Sequence, residues 1–113
     1  LGPCSQTVAF SHYNHLSAQL PIDPATGALV DGDAAAQASQ CLTNIAAILK
    51  AADLSLADVV KTNVYVTDVA KYEAFNNIYV EMMPKPLPAR TFVGVAALPS
   101  GAQIEIEVIA ARK

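Results

Sequence analysis

The sequence lacks tryptophan, has two cysteines and five glycines among 113 residues, and carries charge on only 15% of its side chains. Cys4 and Cys41 can form one bridge at most, so a disulfide framework is excluded and reduced thiols are favoured. Lys and Arg total 7 against 10 Asp and Glu, a net charge of −3. That balance leaves no electrostatic footprint for nucleic acid or an anionic membrane. No run of roughly eighteen apolar residues spans a bilayer. Residues 1–22 are uncharged but lack a basic start and an apolar stretch, so they do not read as a signal peptide. No Met begins the chain, which suggests that a few residues precede Leu1. The expected location is cytoplasmic, with an organelle such as the mitochondrion left open. The chain also has no P-loop, dinucleotide fingerprint, nucleophile elbow or Cys-x-x-Cys pair, which removes most cofactor-based readings.

What is present is apolar. Hydrophobic residues make up 53% of an 11.8 kDa chain, more than a sphere of that size hides within itself, so part of this surface is expected to meet further copies. No linker or internal repeat divides the chain, and residues 1–113 read as one domain. Residues 7–20 suggest a hairpin turning near Ser11, and Pro21 to Gly32 carries loop chemistry. A helix is predicted from about residue 34, capped by Asp31 or Asp33, with Ala38, Cys41, Leu42, Ile45, Ile48, Leu49 and Ala52 on its apolar side. Ser55 and Asp58 resemble a capped turn. Val60, Thr62, Val64 and Val66 then alternate with polar neighbours as a strand. Asp68 is expected to cap a second helix bearing Tyr72, Phe75, Tyr79 and Met82 or Met83 on one side, ended by Pro84, Pro86 and Pro88. Residues 91–98 and 103–111 read as strands around a turn at 98–101. The order β-β-α-β-α-β-β predicts an α+β sandwich, two helices covering one face of one sheet. The other face needs a partner.

Few residues stand out chemically. A zinc site from Cys4, His12, His15 and Cys41 fits no ligand spacing, and both histidines read as surface residues of the hairpin. Arg90 opens an uncharged strand and has no acidic residue within eight positions on either side. Its planar fork suits a carboxylate substrate, although from spacing alone a salt bridge to Glu105 or Glu107 is the commoner role for such an arginine. Those two glutamates share one strand face among apolar neighbours, where burial could raise a carboxyl toward acid-base duty. If the last two strands form a hairpin about Pro99 and Ser100, Arg90 pairs near Ile109 or Ala110, roughly 13 Å along the strand from Glu105.

Four segments then carry a resemblance: GPCSQ at 2–6, SAQLP at 17–21 followed by DPATG at 23–27, DVVKTNVYVTD at 58–68, and PARTFVGVAALPSGAQIEIEVIA at 88–110. Over essentially its whole length the chain resembles the RidA/YjgF family. The resemblance implies a chorismate-mutase-like fold assembled as a homotrimer, with a central barrel and ligand clefts between subunits. It further implies hydrolysis of reactive 2-imino acids and their enamine tautomers, such as 2-aminoacrylate, to 2-keto acids and ammonia without a cofactor. On that basis Arg90 grips the substrate carboxylate, Glu105 activates the attacking water, the Phe92 backbone contacts the ligand, and Ser17, Ala18, Asn76 and Cys4 line the pocket. Cys4 stands where the family often has Tyr, Phe92 where it often has Cys, and Ala18 where it commonly has Gly. The connection Pro84 to Leu87 is short for the family. The alternative of another class is a non-catalytic trimer of this fold that binds small carboxylates or regulates a partner. Some family members are described as ribonucleases or translation inhibitors, a role to which a charge of −3 gives no support.

Overall fold

Alternation along the two central strands organises the chain, which the computed structural model describes over residues 4–112. In chain order the elements are β1 (Thr7–Phe10), β2 (Tyr13–Leu16), β3 (Ile22–Asp23), β4 (Ala28–Leu29), α1 (Ala34–Ala51), β5 (Val59–Val66), α2 (Tyr72–Met82), β6 (Ala89–Gly94) and β7 (Ile104–Ala111). The main sheet runs β1-β2-β7-β5-β6, and β3 with β4 forms a separate two-residue ladder. On β7, Ile104, Ile106, Val108 and Ala110 are buried while the residues between them are half-exposed. Thr62, Val64 and Val66 of β5 stand opposite Val108, Ile106 and Ile104 and share that buried face. Both helices cover it. The opposite, open face carries Glu105, Glu107, Asn63 and Tyr65 at its centre, with Val8, Phe10 and Tyr13 toward one edge and Val93 toward the other. Phe10 is 76% exposed and Val8 57%.

The alanine-rich start of α1 lowers the backbone cost of helix formation. Of the two candidate caps, Asp33 does the work: its Oδ1 accepts the Ala36 N–H at 3.0 Å. Ala38, Cys41, Leu42, Ile45 and Leu49 recur at three- and four-residue steps and are fully buried. The helix ends in a Schellman arrangement. Asp53 adopts φ 60°, its N–H donates to the Lys50 carbonyl at 3.1 Å, and the Leu54 N–H reaches Leu49 at 2.8 Å. Ser55 and Asp58 form a full capping box on the next turn. Hairpin β1–β2 turns at Ser11, with φ 55°, as the sequence implies.

Four local expectations are corrected. Asp68 caps a 3-10 turn, Val69–Lys71, by accepting the Ala70 N–H, and α2 starts only at Tyr72. Val60 is 42% exposed because a bulge between Val59 and Lys61 shifts the register, so Val59 is buried in its place. Pro21 to Gly32 is not all loop. Asp23 closes a turn by accepting the Ala25 N–H at 2.8 Å, and this turn joins β3 to β4. Most consequentially, β6 and β7 are not a hairpin: β5 lies between them, parallel to β6 and antiparallel to β7.

Asp33→Ala should lower unfolding stability by about 1 kcal/mol, and Asp33→Ser should retain most of it, as read by urea titration. Equal midpoints for all three proteins would remove the cap from the account of α1.

Candidate functional site

Strand β6 is an edge strand whose Arg90 stands opposite Thr62 of β5, and Phe92 stands opposite Val64. Both therefore point toward the helices. Tyr72, Phe75, Asn76 and Tyr79 follow one another at helical spacing on α2 and close around the half-buried Arg90 side chain. The Asn76 Oδ1 accepts from Nη1 at 2.8 Å, and the Tyr72 hydroxyl accepts from Nη2 at 3.3 Å. The guanidinium carbon lies 5.0 Å from the ring centre of Tyr79, 5.3 Å from Phe75, 5.6 Å from Tyr72 and 5.8 Å from Phe92. Ring faces attract a cation electrostatically, so this box holds the charge without a carboxylate. Tyr72 and Phe92 meet edge-to-face at 4.9 Å. Behind them the Tyr79 hydroxyl donates to Thr62 Oγ1 at 2.9 Å. Burial raises the Tyr79 phenol above its ordinary range, with Thr62 and the Arg90 charge pulling the other way. Of the five guanidinium N–H groups, two are used by these side-chain acceptors. The others can meet a bidentate anion.

Glu105 belongs to the opposite face of the sheet, across from Tyr65. It borders a cleft of about 830 Å³ whose wall includes Cys4, Ser17, Ala18, Gln19 and Asn44. The segment carrying Ser17 is fixed by its own bonds. The Ser17 hydroxyl donates to the Ser5 carbonyl at 2.6 Å, and the Gln19 N–H and carbonyl bridge to Ile106. Asn44 Nδ2 ties α1 to the same segment through the Ile22 carbonyl at 2.8 Å. Partial burial is the main cause that raises the Glu105 carboxyl above its ordinary value, and the Glu107 charge adds to it.

The structure thus sorts the predicted residues into two groups. Arg90, Phe92 and Asn76 come together at one edge, and Glu105, Ser17, Ala18 and Cys4 come together at the cleft. They do not meet within one chain. Arg90 is level with Val108, two strands from β7, which puts its Cα about 14 Å from that of Glu105 and on the other side of the sheet. The expected Arg90 pairing near Ile109 or Ala110 is therefore wrong, as is a salt bridge from Arg90 to Glu105 or Glu107. The inserted β5 rules out the first and the face reversal the second. His12 is exposed at the hairpin turn and His15 on β2, as expected. Cys41 is buried in the core with burial pushing its thiol far up, and Cys4 is exposed, so no disulfide joins them. Among the described residues no three His, Cys, Asp or Glu side chains form a metal-binding group, and no helix is long and apolar enough to cross a membrane.

Sequence reasoning missed Tyr72, Phe75 and Tyr79 as site residues, reading them only as an apolar helix stripe. Their aromatic content beside an unpaired Arg was the available signal. Asn44, Asn63 and Tyr65 had none.

Residues 1–112 match the protein family described as Endoribonuclease L-PSP. A RutC family protein of Pyrococcus horikoshii is 44% identical over 110 residues, 97% of this chain and 87% of that protein. The 2-iminobutanoate/2-iminopropanoate deaminase of Capra hircus is also 44% identical, over 97% of this chain and 80% of its own length. Among solved structures, RidA from the Antarctic bacterium Psychrobacter sp. superposes with a TM-score of 0.95 at 44% identity, covering 98% of this chain and 89% of that one. The chain belongs to this family, the YjgF/RidA family, and has its α+β fold of a mixed sheet with two helices.

The raised Glu105 carboxyl gives a signed prediction. The folded state holds this proton more strongly than the unfolded chain, so ionisation opposes folding; the penalty is absent below the unfolded value and is complete once pH rises past the folded one. Glu105→Gln should therefore melt above the parent at neutral pH and together with it near about pH 3. A constant gap at both values would contradict this.

Proposed function

We propose that this protein is a hydrolytic deaminase of reactive 2-imino and enamine acids, such as 2-aminoacrylate, and works as a homotrimer with clefts between copies. The carrying observation is Arg90, a guanidinium held by rings and an amide with donors left for a carboxylate. Glu105 supports it as a half-buried carboxyl raised toward proton-transfer duty. Because the two side chains occupy opposite faces, a complete site takes Arg90 from one copy and Glu105 from the next. The exposed Val8, Phe10, Tyr13 and Val93 on the open face give such copies an apolar surface to share.

In the proposed reaction Arg90 fixes the carboxylate and so orients the imine carbon. Glu105 takes a proton as water adds to that carbon. The resulting carbinolamine takes that proton back from Glu105 on its nitrogen, and as the C–N bond breaks to release ammonia Glu105 accepts the hydroxyl proton and passes it to water, leaving the 2-keto acid. No covalent nucleophile is needed, since a protonated imine is already electrophilic. RNA cleavage is not carried over to this chain from the family's description: its charge is −3 and the Arg90 guanidinium is surrounded by aromatic rings.

With imino acids generated in place by an amino acid oxidase, the protein should accelerate their decay. Arg90→Ala and Glu105→Ala should each lose about 100-fold or more in kcat/KM. Refolding the two variants together should restore about a quarter of parental activity, because one site in four then joins an intact Arg90 to an intact Glu105. No restoration would place the site within one chain, and a monomeric sedimentation mass would sink the shared-cleft model. An assembled trimer that accelerates no imine would turn the reading to a carboxylate-binding protein.

A further inference from the structure

Glu107 has no part in the reaction just described, yet its carboxylate is held from two sides. Tyr65 donates its hydroxyl to Glu107 Oε1 at 2.5 Å, and Asn63 Nδ2 donates to the same oxygen at 3.0 Å. The ladder sets this up. Tyr65 is paired across the strands with Glu105, and Asn63 with Glu107, so the tyrosine stands opposite the first glutamate and ends on the second. Glu105 and Glu107 are two residues apart on one strand face, about 7 Å from each other. A carboxylate free to swing into water would be screened at that distance, whereas one clamped at the half-buried sheet surface keeps its field on its neighbour.

We propose that Glu107, clamped by Tyr65 and Asn63, is a positioning residue for the reaction: it fixes a negative charge beside Glu105 and makes Glu105 the stronger proton acceptor for the attacking water. This rests on the deaminase reading for its chemical purpose. The groups facing Glu105 are consistent with it. Tyr65 comes from β5, Glu107 from β7 itself, Cys41 from α1 beneath the sheet, and Cys4 from the N-terminal segment across the cleft. His15 of β2 borders a small cavity with Asn63 and Glu107, on the far side of the clamp. Tyr65 remains a donor throughout the neutral range, because its bond to Glu107 and burial push its phenol up to about 12. The Glu107 charge also contributes to the raised Glu105 carboxyl, after burial.

The test combines the pH profile of imine hydrolysis with a ¹³C NMR titration of the Glu105 side-chain carboxyl, which needs no turnover. In Glu107→Gln the acid limb of kcat/KM and the Glu105 titration should both move down by about half a pH unit or more. Tyr65→Phe should move both in the same direction by less, and Glu107→Asp should hold them near the parental position. A Glu105 titration unmoved in Glu107→Gln and Tyr65→Phe would overturn the proposal, whatever the loss of rate. A titration that moves in a protein accelerating no imine would strike out the deaminase reading and leave the charge coupling standing.

Discussion

The burial of one row of β7 constrains everything else. Ile104, Ile106, Val108 and Ala110 are covered by the helices, and a strand has a period of two, so Glu105 and Glu107 are obliged to face the other way. A slip of one residue would bury two carboxylates and expose four apolar side chains. Register is therefore fixed by energy on the helix side, and the chemistry of the open face inherits it. β5 copies the pattern, setting Tyr65 and Asn63 opposite the two glutamates. Its bulge at Val60 absorbs the one place where a strict alternation would not fit.

Arg90 solves a different problem. It lies on the helix side of the sheet, where an unpaired cation is costly. The remedy is four ring faces, one amide oxygen and one phenol oxygen, none of them charged. A carboxylate partner would have satisfied the guanidinium more strongly and left it less available to a ligand. Rings and amides hold the fork in place while keeping its charge uncompensated. The same geometry explains why α2 carries Tyr72, Phe75, Asn76 and Tyr79 at successive turns: one helix face builds the whole cradle.

Local signals were legible where a local cause acts. Asp33, the Ser55–Asp58 box, the Ser11 turn and the stripes of α1 and β7 each depend on residues within a few positions of one another. The order of strands does not. Nothing near Arg90 tells that β6 joins β5 in parallel instead of folding back on β7, because the pairing is set by the α2 crossover and by burial across the sheet. That single long-range fact moves Arg90 from a strand expected beside β7 to one beyond β5, with its side chain on the face opposite Glu105. The candidate residues, and a cleft between subunits, were readable through the resemblance; which of those residues fall on which face of the sheet was not. Tyr65 and Asn63 read as ordinary strand residues, since a bond to Glu107 some forty positions later leaves no local trace.

Separation has a chemical consequence of its own. Were Arg90 adjacent to Glu105 in one chain, the two would pair even in a lone copy, and the cation would hold the carboxyl low. With β5 and the plane of the sheet between them, no such pair forms within the chain. Glu105 keeps a raised proton affinity from its burial and from Glu107, and Arg90 keeps donors open at the edge. On the proposed reading a neighbouring copy brings the second group, so the two charges meet only in the assembled cleft. On that reading the exposed apolar residues of the open face and the divided chemistry of the sheet answer one requirement.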